Sequence, residues 1–170
     1  GMAFISCFDR WAYQKGQEVQ GAIFEYDINE NATPQILESD FQGNFAPHGF
    51  SLYTDDSGKQ YLIVINHAPD EHLVEIFEYQ DHFLSHQKTI SGDLLISPND
   101  IVAVGPDKFY FTNDHGSESS FGKMMEEYLQ LSKSNIVFYD GQNLEVAATG
   151  LTYANGINLS VDGSLLYAAS

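Results

Sequence analysis

Three polar side chains recur at one place in a repeating pattern. They are His48 in Pro47-His48-Gly49-Phe50-Ser51-Leu52-Tyr53, Asn99 in Pro98-Asn99-Asp100-Ile101-Val102-Ala103-Val104, and Asn155 in Ala154-Asn155-Gly156-Ile157-Asn158-Leu159-Ser160. Each leads into a run of β-forming residues, and successive ones stand 51 and 56 residues apart. An imidazole, with a reference pKa of ~6.5, accepts a proton near neutrality. Two amide oxygens with carboxylates beside them are the neutral and anionic oxygen donors that suit calcium better than zinc. If the fold brings these positions together, they form a metal-binding centre with a base beside it. If it does not, Asn155 before Gly156 and Asn99 after Pro98 are ordinary turn residues.

The elements that must position them are strands. Apolar residues come in short runs separated by Gly, Asn, Asp and Pro, the spacing of strands joined by turns. After each polar position a second run follows: Tyr61-Leu62-Ile63-Val64-Ile65-Asn66, Lys108-Phe109-Tyr110-Phe111-Thr112-Asn113 and Ser164-Leu165-Leu166-Tyr167-Ala168-Ala169. Third runs are expected at residues 21–27, 73–79 and 135–140, and fourth runs near residues 35–37, 84–90 and 144–148. A repeat of four strands over ~50 residues predicts an all-β chain built as a β-propeller of four-stranded blades. The first strand of each blade lines the central channel, so His48, Asn99 and Asn155 should converge there.

On this pattern residues 1–6 read as a second strand and residues 165–170 as another with no closing turn. The expectation is a single partial propeller domain over residues 1–170, about three blades, cut within a blade at both ends. Closed propellers have about four to eight blades, so missing blades or a second copy would have to cover the open faces. One insertion interrupts the repeat between Asp114 and Ser134. Within it Phe121, Met124, Met125, Tyr128, Leu129 and Leu131 fall three and four apart, predicting one short helix over 119–131, capped by Ser119 or Ser120. It is either an amphipathic element for a lid or for docking on a surface or membrane, or a helix packed on the blades.

Seven Lys and Arg against 24 Asp and Glu give a formal charge of −17, which excludes a nucleic-acid backbone or an anionic membrane as an attractive partner. The carboxylate surplus is compatible with calcium and equally with a solvated acidic surface. Cys7 is the only cysteine, so an internal disulfide and a cysteine-based zinc site are excluded. It reads as a small buried apolar residue. No run of about 18 apolar residues is present, and residues 1–6 carry no basic leader, which leaves the compartment undetermined. The sequons Asn31-Ala32-Thr33 and Asn158-Leu159-Ser160 matter only if the protein is secreted where it can be glycosylated.

The strings Ala46-Pro47-His48-Gly49, Val64-Ile65-Asn66-His67, Asn99 to Pro106, Phe111-Thr112-Asn113-Asp114-His115 and Ala154 to Ser160 resemble the paraoxonase/arylesterase family in order and spacing, over the whole chain. The resemblance implies a six-bladed propeller with two calcium ions in its tunnel, hydrolysing lactones and aryl esters. It implies that Asn99 and Asn155 bind a catalytic calcium. Asp100 and the main-chain carbonyl of Phe50 would bind a second, structural one. His48 would activate a water, with His67 assisting. Further ligands of the family would lie outside this chain, as would its disulfide. Asp114-His115 either contacts substrate or closes a turn, and His67 is alternatively a strand-end histidine held in a turn. A gluconolactonase-like sugar-lactone hydrolase and a non-catalytic propeller used for binding are the competing expectations.

Overall fold

The computed structural model describes every residue except 31, 32 and 118, so the sequon at Asn31 lies outside the described residues. In chain order the elements are β1 (Met2–Cys7), α1 (Arg10–Gln14), β2 (Ala22–Asp27), β3 (Gln35–Ile36), β4 (Glu38–Ser39), β5 (Pro47–Thr54), β6 (Gln60–His67), β7 (His72–Gln80) and β8 (Phe83–Ile90). They continue as β9 (Pro98–Gly105), β10 (Lys108–Asn113), α2 (Ser120–Leu129), β11 (Ser134–Tyr139), β12 (Leu144–Leu151), β13 (Ile157–Leu159) and β14 (Leu166–Ala168). The chain is all-β apart from the two helices.

The strands form four sheets, with orders β1-β2-β3, β4-β8-β7-β6-β5, β12-β11-β10-β9 and β13-β14. The two central sheets are antiparallel meanders of consecutive strands, as the repeat predicts. The second gains a fifth strand, because β4 leaves the first sheet and runs parallel to β8.

Turns follow from local chemistry. The loop between β7 and β8 is the two-residue turn Asp81-His82 with both φ positive, the geometry that matches strand twist in a tight hairpin. Between β5 and β6, the Asp55 carboxylate accepts from the amides of Ser57 and Lys59, and Gly58 supplies φ +88°.

Strand β6 is apolar at five consecutive positions from Tyr61 to Ile65 because it is covered on both faces. Successive side chains point to opposite faces, and the packing shows it. Leu62 and Val64 join Ile23, Phe45, Phe77 and Leu84 on the side of the first sheet. Ile63 and Ile65 join Ile101, Phe109, Phe111 and Val137 on the side of the third. A smaller cluster of Val102, Ile136 and Ile157 joins the third sheet to the fourth. The sheets therefore stack face to face in chain order, and among the described residues no sheet closes on itself.

Buried polar groups in this stack are paired. Glu75, fully buried on β7, accepts from Asn66 Nδ2 (3.0 Å) and the Thr89 hydroxyl (2.6 Å) and meets His86 Nε2 at 3.0 Å. Among the described residues no buried side-chain nitrogen or oxygen lacks a partner.

Two expectations are corrected. A second helix, α1, exists: its five residues are too few to show a helical period, and it is held by the Asp9 carboxylate accepting from the Ala12 amide. Cys7 is exposed, since it ends β1, whose second edge has no partner strand among the described residues.

Helix α2 forms where the spacing predicts, with its placement left open by the sequence between docking outward and packing on the blades. Ser119 caps it as expected, accepting from the Gly122 amide. Its apolar side faces outward: Phe121 is 69% exposed and Tyr128 82%, while the buried residue is Glu126 at 5%. Glu126 accepts from the Gly116 amide and the Ser117 hydroxyl, and Lys133 lies beside it. Burial pushes its carboxyl up, but these partners outweigh that and hold it below the ordinary value. No helix among the described residues is long and apolar enough to cross a membrane.

Candidate functional site

The first strands of successive sheets, β5, β9 and β13, lie side by side. Gly49 makes the closest approach possible: a Cβ there would sit 2.5 Å from the Asn99 carbonyl oxygen and 3.0 Å from Asp100 Cα. Only glycine fits between these backbones. The Asp100 carboxylate accepts from the amides of Ile101 and Ile157, each at 2.9 Å, and so fastens β13 to β9. Thr112 donates its hydroxyl to the Asn155 carbonyl (2.6 Å), and Ser6 donates to the His48 carbonyl (2.8 Å).

These fastenings bring His48, Asn99 and Asn155 to one cleft of about 960 Å³, as their shared place in the repeat predicts. His67 lines it as well. Asp100 sits beneath, at the junction of β9 and β13, and Phe50 lies on β5 two residues beyond His48, packed against the core between the first and second sheets.

A second repeat, in the strands next to these, aims two more side chains at the cleft. Asn66 near the end of β6 accepts from the Ala46 amide and donates to the Asn44 carbonyl. Asn113, at the end of β10, accepts from the Ser97 amide and donates to the Leu94 carbonyl. Each buried asparagine ties the second strand to the segment entering the first. The residue after it, His67 in one case and Asp114 in the other, is thereby carried into the cleft.

Around Asp114 the hydrogen bonds are dense. Asn99 Nδ2 donates to its Oδ2 (3.2 Å), His115 Nδ1 meets its Oδ1 (2.8 Å), and the Ser97 hydroxyl donates to it. Lys123 donates in turn to Ser97, and His115 Nε2 meets Glu127, so α2 is held on the cleft rim by its charged face. Burial pushes the Asp114 carboxyl up, but the bonds from Ser97, His115 and Asn99 outweigh it and keep the group below the usual carboxylate range. It is ionised at neutral pH.

His48 and His67 are neutral at neutral pH. Burial lowers His48, the Arg10 guanidinium adds to this, and Asp114 and Asp100 only partly oppose it. His67 is pushed down to about 3, first by burial, then by the neighbouring His72, His48 and Arg10. Ring centroids of His48 and His67 are 5.0 Å apart. The cleft therefore sets neutral proton acceptors beside an ionised carboxylate and amide oxygens. Among the described residues no group of three or more His, Cys, Asp or Glu is placed to hold a metal. The donors that do converge, carboxylate and amide oxygens without sulfur, have the chemistry of part of a calcium cage.

Asp114, which the sequence leaves as either a substrate contact or a turn residue, is the hub of the hydrogen bonds lining the cleft. His72, Arg10, Lys123 and Tyr153 also line it without a motif to mark them. His72 alone had a usable signal: it stands five residues after His67 across a Pro69-Asp70 turn, which sets the two directly opposite in a hairpin. Asn158 of the second sequon is exposed on strand β13, its Oδ1 accepting from the Leu159 amide.

The comparisons with known proteins agree with one another. The family model described as Arylesterase matches residues 1–170. Human serum paraoxonase/arylesterase 2 is 44% identical over 177 residues, covering 99% of this chain and 50% of its own. Human serum paraoxonase/arylesterase 1 is 40% identical over 179 residues and the chicken (Gallus gallus) serum paraoxonase/arylesterase 2 is 41% identical over 177, with the same two coverages. The chain spans about half the length of these curated relatives. With a family model matched from the first residue to the last and relatives near 40% identity over almost all of it, the chain belongs to the arylesterase family.

Proposed function

We propose that these residues form the histidine side and part of the calcium cage of a β-propeller enzyme that hydrolyses lactones and aryl esters. The observation that carries this reading is the convergence of His48, His67, Asn99 and Asn155 on one cleft. The propeller is supported by consecutive antiparallel meanders stacked face to face with β5, β9 and β13 adjacent. Further blades complete the ring.

Asn99 and Asn155 would hold a catalytic calcium, and Asp100 with the Phe50 carbonyl a structural one. Calcium takes about six to eight oxygens, so the remaining ligands come from the rest of the protein. Calcium bound there supplies a Lewis acid that draws charge onto the oxygen of the scissile carbonyl.

The chain's own residues do the proton work. His48, neutral because it is partly buried, accepts a proton from the attacking water. His67 beside it, also neutral, is the second acceptor. Asp114 keeps the Asn99 amide in place through Nδ2, which leaves the amide oxygen for the cleft. Helix α2, apolar side outward, docks the protein on a neutral lipid surface, since the charge of −17 disfavours an anionic one.

The test is hydrolysis of phenyl acetate and of a γ- or δ-lactone by the full-length protein, with and without calcium. Calcium-dependent turnover of either supports the proposal; turnover of neither, with calcium present, leaves a binding propeller instead.

A further inference from the structure

The ring nitrogens His67 Nδ1 and His72 Nδ1 are 2.8 Å apart, on directly opposed residues of β6 and β7. Their rings meet edge to face at a centroid distance of 4.6 Å, and His67 meets His48 on its other side at 5.0 Å. The three imidazoles form a row along the cleft wall, with all three residues in its lining.

A nitrogen pair this close shares one proton, so one Nδ1 donates and the other accepts. A neutral imidazole has one N–H, and that proton's place decides what its other nitrogen can do. If His67 donates from Nδ1, its Nε2 is bare and can accept a proton through His48. If His72 donates instead, His67 carries its proton on Nε2 and can accept nothing there.

We propose that His72 is a positioning residue that accepts from His67 Nδ1–H, fixing the tautomer in which His67 Nε2 is the free base of the pair. The inference rests on the hydrolase reading for its rate consequence but not for its tautomer. The rule is general: the partner of one ring nitrogen sets the role of the other. Burial and the cation of Arg10 keep His67 neutral, so the tautomer is defined near neutral pH.

The experiment uses the full-length protein with 15N-labelled histidine and two variants. His72→Leu removes the acceptor, and His72→Asp places a carboxylate oxygen near the position of the lost nitrogen. In the wild type, 15N shifts should assign His67 as the Nδ1–H tautomer. In His72→Leu kcat for ester or lactone hydrolysis should fall roughly tenfold with KM within about twofold, the scale of losing an orienting partner. In His72→Asp the rate should return to within about threefold of wild type.

An Nε2–H tautomer for His67 in the wild type, or an unchanged kcat in His72→Leu, overturns the assignment. If the wild-type protein hydrolyses nothing, the hydrolase reading fails, and the 15N tautomer still decides for or against His72.

Discussion

Burial does more to His67 than its charged neighbours do, and the consequence reaches from catalysis to stability. Its folded pKa, pushed down to about 3, lies below the ordinary histidine value, so between these limits the unfolded chain binds more protons than the folded one. Stability from this site is complete above pH ~6.5 and is lost as pH falls toward 3. Unfolding free energies from denaturant titrations between pH 6.5 and pH 4 should therefore fall faster for the wild type than for His67→Gln, by up to about 1.4 kcal/mol per pH unit. Parallel curves would show that His67 is not held neutral. His48 is the residue expected to meet the water. Replacing it by Gln in the full-length protein should cut kcat by about 10²- to 10⁴-fold with little change in KM, measured by steady-state hydrolysis. A variant whose lost activity is matched by loss of folded protein at the assay temperature would instead mark it as a structural histidine.

Among the elements, strands were legible and orientations were not. Short apolar runs bounded by turn residues placed β5 to β11 within a residue or two and β12 to within three, because strand period and turn chemistry are local. The helix at α2 was equally visible in the spacing of Phe121, Met124 and Tyr128. Which way its apolar side points depends on tertiary partners: Lys123 reaches Ser97, Glu127 reaches His115, and Glu126 is enclosed by Gly116 and Ser117. No periodicity encodes that. The same limit hid α1, whose five residues show no period, and the hydrogen-bond hub at Asp114. Asn99 and Asn155 came from the repeat, whereas Phe50, Asp100 and His67 needed the family resemblance. With Phe121, Met124 and Tyr128 facing solvent, the full-length protein should co-float with phosphatidylcholine vesicles, and changing all three to Ser should reduce the bound fraction several-fold. Equal flotation of the variant would return α2 to a purely structural role.

At the scale of the molecule, three interleaved cores hold four sheets in sequence, and the first strands they align carry part of a site. The chain covers half of its relatives' length, and the calcium donors proposed for it cover only part of what calcium takes. Isothermal titration of the 170-residue chain should accordingly show no submicromolar calcium affinity, although Asn99 and Asn155 line one cleft. Tight binding by this stretch alone would mean that the cage is complete here. The most direct test of the whole account is the initial rate of phenyl acetate and δ-lactone hydrolysis by the full-length protein as calcium is chelated and restored. Calcium-dependent, restorable turnover that His48→Gln abolishes is the predicted result. Turnover indifferent to both calcium and His48, or none with calcium present, would contradict it.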